Sequence, residues 1–117
     1  MMRASRMPLP GRPVRGSQTG RPVMALLDLL GRRWALRILW ELREQPAATF
    51  RDLQMRCGNV SSSVLNERLR ELREARILAA RDPSGYELTA EGRRLLQALA
   101  PIDEWATRWG ARKGADG

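Results

Sequence analysis

The residues best suited to recognition chemistry lie in one short run. Ser61, Ser62, Ser63, Asn66, Glu67 and Arg70 fall between Val60 and Glu71. At about 100° per residue, Ser63, Asn66, Glu67, Arg70 and Glu74 share one helix face, opposite Leu65, Leu69 and Leu72. Short hydroxyls, an amide and a guanidinium match base edges and phosphates. Asparagine pairs with adenine and arginine with guanine through two hydrogen bonds, each worth about 1–3 kcal/mol of discrimination when well placed. A polar face with Glu67, Glu71 and Glu74 is equally how a solvated helix looks, so the surrounding elements have to decide between the two readings.

Other chemistries lack their residues. The chain has no histidine and a single cysteine, Cys57, which removes Ser-His-Asp and Cys-His catalysis, histidine- or thiolate-ligated zinc and an intrachain disulfide. Neither G-x-x-x-x-G-K-[ST] nor G-x-G-x-x-G occurs, and no paired carboxylates stand in an apolar setting. The expectation is a protein that is not an enzyme and carries no cofactor and no metal. Cys57 reads as a small core residue, although Arg51 and Arg56 nearby would lower a thiol pKa.

The charge points to a polyanion. Lys and Arg total 21 against 13 Asp and Glu, for a net +8 over 117 residues. Residues 1–21 hold five arginines (Arg3, Arg6, Arg12, Arg15, Arg21) and no acid; removing those five leaves 16 cations against 13 acids, or +3, in residues 22–117. Nucleic acid is the first partner implied and an anionic membrane surface the second. All cations but Lys113 are arginine, which suits phosphate and base recognition but also follows from a GC-rich coding sequence. The longest apolar stretches fall far short of the roughly 20 residues needed to span a bilayer. Residues 1–21 contain no apolar signal core, and the single thiol suits a reducing compartment, so a soluble cytoplasmic protein is expected.

The elements that must hold the polar face can be read from spacing. Residues 1–21, rich in Pro, Gly and Arg, predict a disordered basic arm. Pro22 opens a helix over Val23 to Leu30 that is apolar on all sides and so needs cover, for which a second copy of the chain is the expected source. Trp34, Ala35, Ile38, Leu39 and Leu42 mark one face of a central helix ending near Gln45-Pro46. A short extended piece at Ala47 to Phe50 leads to a helix from Arg51 to about Arg56, with Phe50, Leu53 and Met55 or Cys57 turned inward, before Gly58-Asn59 breaks the chain.

Ser61 then caps a helix to about Ala75. Ile77 to Arg81 and Tyr86 to Thr89 read as a hairpin across Asp82-Pro83-Ser84-Gly85, and Thr89 caps a last helical region expected to kink or break at Pro101. Residues 110–117 are expected to fray. A helix, a short Gly-containing turn, a helix with a polar outer face and a hairpin form the outline of a winged helix-turn-helix, mainly α with a small β-wing. On this outline Arg81 and Ser84 of the wing become phosphate-contact candidates, and Arg32 and Arg33 either touch phosphates or are solvated. The four tryptophans, Trp34, Trp40, Trp105 and Trp109, lie on apolar faces and read as core or dimer contacts.

Several segments together carry a family resemblance. Leu27-Asp28-Leu29-Leu30-Gly31-Arg32-Arg33-Trp34 with Ile38-Leu39-Trp40-Glu41-Leu42, then Phe50-Arg51-Asp52-Leu53, Val60-Ser61, Leu65, Glu67-Arg68-Leu69-Arg70-Glu71-Leu72 and Tyr86-Glu87-Leu88-Thr89 with Gly92, occur in this order. Over residues 22–109 the chain resembles the HxlR family of bacterial transcription regulators, relatives of the MarR group. The resemblance implies a homodimer formed by the first and last helices, with Ser61 to Ala75 reading the major groove of double-stranded DNA. Many relatives carry a cysteine before the proline that opens the first helix, used in some as a redox or electrophile sensor. This chain has Arg21 there, which argues against thiol sensing.

The expected function is a sequence-specific regulator acting as a homodimer on an inverted-repeat operator. A small-molecule effector at a tryptophan-lined dimer interface is compatible with the sequence. The alternative is a nonspecific architectural or accessory DNA-binding protein that uses the arm and overall charge without sequence readout.

Overall fold

The computed structural model of the protein describes residues 7–44, 47–81 and 85–116, with side chains described as far as Arg112. Its order is α1 (Pro22–Leu30), α2 (Ala35–Glu41), β1 (Ala47–Ala48), α3 (Phe50–Arg56), α4 (Ser62–Glu74), β2 (Leu78–Arg81), β3 (Gly85–Leu88) and α5 (Ala90–Asp116). The mainly helical fold with a small wing is the one expected.

The leucine spacings produce one core. Ile38 and Leu39 of α2 and its C-cap Leu42 meet Leu53 of α3, Leu65, Leu69 and Leu72 of α4, Leu78 and Leu88 of the hairpin and Leu96 of α5, all buried in a single cluster. Each fully buried Leu or Ile contributes about 1.5–3 kcal/mol of transfer free energy. Cys57 is also fully buried, whereas Met55 points out at 65% exposure, so of the two alternatives at the end of α3 the cysteine takes the inward place.

The wing is a three-stranded antiparallel sheet in the order β1-β3-β2. β2 and β3 pair from Leu78 with Leu88 to Arg81 with Gly85, and β1 adds Ala47 opposite Glu87 and Ala48 opposite Tyr86. Residues 82–84 at the hairpin tip, Ser84 among them, lie outside the described residues. Thr89 joins the wing to α5. Its Oγ1 accepts the Gly92 N–H at 3.0 Å and donates to the Arg76 carbonyl at 2.7 Å. Gly92 is required by close approach, since a Cβ there would lie 2.3 Å from the carbonyl oxygen of Ile77.

Two expectations are corrected. Residues 7–21, read from composition as disordered, fold against the domain. Met7 is only 6% exposed within the core, Val14 and Ser17 form a two-way backbone bridge, and Arg15 Nε meets Asp28 Oδ1 of α1 at 2.8 Å. The arm lies so close on α1 that a Cβ at Gly16 would sit 2.3 Å from Met24 Cε. A few apolar anchors and internally satisfied backbone donors thus order a segment whose average composition is poor in both.

The all-round apolar α1 is therefore covered twice within its own chain, by the core at Ala25 and Leu29 and by the arm at Met24 and Asp28, leaving Val23 and Leu27 open. At the other end, α5 continues through Pro101 and through residues 110–116 as one helix. Pro101 and Gln97 are both exposed, so the carbonyl of Gln97 that loses its helical donor is within reach of water.

Candidate nucleic-acid interface

α3, the turn at 57–61 and α4 form the helix-turn-helix. Gly58 and Asn59 have positive φ of 74° and 62°, which turns the chain sharply, and the Asn59 N–H closes on the Gln54 carbonyl at 2.8 Å. Ser61 is the N-cap of α4, its hydroxyl accepting the Val64 N–H at 3.3 Å. No acid occupies the first turn of α4, so its amide end favours a phosphate. Gln54 was not foreseen as a functional residue. Its Nε2 donates to the Val60 carbonyl at 2.9 Å and to Ser62 Oγ at 3.2 Å, tying α3 to the first turn of α4. Its position beside Leu53 on a short amphipathic helix was the only signal.

Opposite the buried Leu65, Leu69 and Leu72, the helix presents Ser63, Asn66 and Arg70, all exposed, with Glu67 half-buried on the same face. Arg70 is engaged along the helix, with Nη2 2.7 Å from Glu67 Oε2 and Nη1 3.4 Å from Glu74 Oε1. The hydrogen bond from Arg70 holds the Glu67 carboxyl below the usual carboxylate range, and the same bond raises Arg70. To meet a guanine or a phosphate, Arg70 must exchange these exposed pairs, which are individually weak.

Glu71 departs from the solvated face predicted for it. It is 2% exposed and its two oxygens are divided between Arg32 Nη1 at 2.6 Å and Arg68 Nη1 at 2.8 Å. The side chain of Arg32 accordingly turns inward, away from the role of a phosphate contact or a solvated cation, because a buried carboxylate requires a counterion. Arg33 beside it stays exposed. On the wing, Arg81 is exposed and reaches across the hairpin to Glu87 Oε2 at 2.8 Å.

α4 itself carries three arginines and three glutamates, so phosphate affinity has to come from around it, where Arg33, Arg51, Arg76 and Arg81 are exposed. The described residues contain no group of three or more His, Cys, Asp or Glu that could hold a metal ion.

The sequence profile of the HxlR-like helix-turn-helix matches residues 29–114. The chain belongs to the HxlR-like helix-turn-helix family. It is 34% identical over 90 residues to YvaP, an HTH-type transcriptional regulator of Bacillus subtilis (strain 168), covering 71% of this chain and 82% of YvaP. Its fold is similar to the crystal structure of quinone-bound YodB from B. subtilis, with a TM-score of 0.68 and 27% identity over 74% of this chain and 94% of YodB.

A second structural neighbour is described as a possible HxlR family transcriptional factor from Thermoplasma volcanium GSS1. It has a TM-score of 0.66 and 22% identity, and covers 77% of this chain and 85% of its own. HxlR proteins are DNA-binding transcription regulators and not enzymes, so the helix-turn-helix built by α3 and α4 is this chain's DNA-binding element. No helix among the described residues is long and apolar enough to cross a membrane.

Proposed function

We propose that this HxlR-family protein is a homodimeric regulator that reads an inverted-repeat operator by placing α4 in the major groove. The observation that carries the reading is the division of α4. One stripe is locked into the core, and the opposite stripe offers Ser63, Asn66 and Arg70 to solvent. Ser61 and Ser62 set the start of the helix, Glu67 adjusts Arg70, and Arg33 and Arg81 flank as phosphate contacts. Dimerisation is supported by the open apolar residues of the first and last helices: Val23 and Leu27 on α1, and Ile102, Trp105 and Trp109 on α5. The rings of Trp105 and Trp109 stack at 5.7 Å, presenting one broad surface for a partner. A two-fold protein matches a two-fold site.

The test is selection of duplexes from a randomised pool, followed by comparison of the selected site with a scrambled one at a single salt concentration. An inverted repeat that outcompetes scrambled duplex supports the reading. Equal affinity for both assigns the protein to the nonspecific architectural class instead.

An effector, if one acts, binds without thiol chemistry. Cys57 is buried, and that burial pushes its thiol up despite Arg37 and Arg56, which disfavours the reactive thiolate. A cavity of about 400 Å³ between α2 and α5, walled by Leu36, Trp40, Leu99, Ile102 and Ala106 with Arg37 and Asp103 beside them, has the size and mainly apolar lining of a small-molecule site. The quinone-bound state of YodB lends support to an effector of that kind. Of the four tryptophans only Trp40 lines this cavity.

A further inference from the structure

Glu71 is a buried charge that the reading face of α4 does not require. It is almost fully enclosed, and both of its counterions are themselves largely covered, Arg32 at 16% and Arg68 at 18% side-chain exposure. Arg68 lies one turn back on the same helix, so its bond to Glu71 Oε1 holds the carboxylate in one rotamer. Arg32 lies 39 residues away, at the corner where α1 turns into α2. The bond to Oε2 is therefore a tie between elements.

The corner is itself fixed. The Ala35 N–H closes on the Arg32 carbonyl at 3.0 Å, and Trp34 is held at φ 76°, a left-handed conformation costly for a bulky side chain. Stability does not account for such a cluster. A buried ion pair gains little over apolar side chains of the same volume, and Arg68 Nε is left without a hydrogen-bond partner. What a directional pair supplies and an apolar contact does not is a single rotational setting.

On α4 the pair lies about 100° around the axis from Arg70. It thus holds one flank of the helix to the end of α1 and leaves the reading face free. We propose that Arg32 and Glu71, with Arg68 orienting the carboxylate, are positioning residues that set the rotation of the reading helix relative to α1. They thereby set which half-site sequence and which half-site spacing a dimer accepts. This inference rests on the operator-reading proposal, because α1 supplies the dimer face and α4 the base contacts.

The test uses the full chain and randomised duplex pools containing paired half-sites at variable spacing. Wild type is compared with Arg32→Gln, which removes the guanidinium from the tie between elements, with Arg32→Lys, which keeps the charge, and with Glu71→Gln, which keeps an acceptor of the same shape. Thermal melts establish that each is folded.

Wild type is expected to select one spacing. Arg32→Gln and Glu71→Gln should keep the affinity for scrambled duplex and its salt dependence, yet lose about tenfold of the preference for the selected operator over copies with spacing altered by one base pair. Arg32→Lys should recover most of that preference. A merely structural pair would lower affinity for every duplex alike, in step with the melting temperature, and that result overturns the proposal. So does a variant that keeps the wild-type spacing preference. If wild type selects no sequence at all, the operator reading itself fails and the positioning role falls with it.

Discussion

At the level of single residues, the proposed recognition rests on side chains that the core leaves free. Asn66 and Arg70 stand opposite Leu65, Leu69 and Leu72. Replacing either with alanine should lower the preference for operator over scrambled duplex by about 1–3 kcal/mol, measured by competition at fixed salt, with the affinity for scrambled duplex changing less. The Glu67–Arg70 pair predicts a pH dependence whose sign follows from the depressed carboxyl. Arg70 holds the Glu67 carboxyl below its ordinary range, so the pair is intact above that range and its contribution is lost as pH falls through the depressed value. Binding should therefore be insensitive to this pair from neutrality down to the depressed titration of Glu67. At lower pH, protonated Glu67 releases Arg70 and affinity for duplex of any sequence rises. Glu67→Gln should show the raised affinity already at neutral pH.

The exposed face that carries Asn66 and Arg70 was legible in sequence because a helical stripe needs only spacing. The burial of Glu71 was not, because a glutamate on the flank of a helix is indistinguishable from a solvated one until the partner arginine, distant in sequence, is brought beside it.

At the level of elements, one hydroxyl contributes bonds on both sides of the joint between wing and last helix. Thr89 Oγ1 caps α5 through Gly92 and ties back to the carbonyl of Arg76, itself at φ 64°. Thr89→Val keeps the shape and removes these bonds. It should cost about 0.5–2 kcal/mol, measured in denaturant melts, while Thr89→Ser should recover most of the loss. In the N-terminal segment, packing and free charge fall on different residues. Met7 and Arg15 hold it to the domain, whereas Arg12 and Arg21 remain exposed. Replacing Arg12 and Arg21 with glutamine should weaken binding to all duplexes and flatten the salt slope by about 0.9 for each phosphate no longer neutralised. Met7→Ala should instead lower thermal stability with little change in that slope. The two readouts separate charge from packing.

At the level of the whole molecule, open apolar residues lie on the first and last helices. Leu27 on α1 and Trp105 and Trp109 on α5 are each more than half exposed in the single chain, an arrangement suited to burial against a second copy. Leu27→Asp should shift the protein toward monomer in sedimentation at micromolar concentration and reduce operator affinity, while leaving the melt of the isolated domain close to wild type. A wild-type chain that sediments as a monomer throughout would remove the basis for a two-fold operator.

The chain's own order of residues determined the winged helix-turn-helix, the stripe that α4 buries and the face it presents, and the caps at Ser61 and Thr89. Each depends on neighbours within a few turns, and periodicity records local geometry directly. It also determined that histidine, zinc and phosphate-loop chemistry have no residues to work with. Tertiary structure decided what distance in sequence conceals. It packed the arm onto α1 through Met7 and the Arg15–Asp28 pair, carried α5 through Pro101, and enclosed Glu71 between Arg32 and Arg68. The physical reason is common to all three. Burial of a charge, order in a Pro- and Gly-rich segment and tolerance of a proline in a helix depend on which surface lies alongside, and only the folded chain brings those surfaces together.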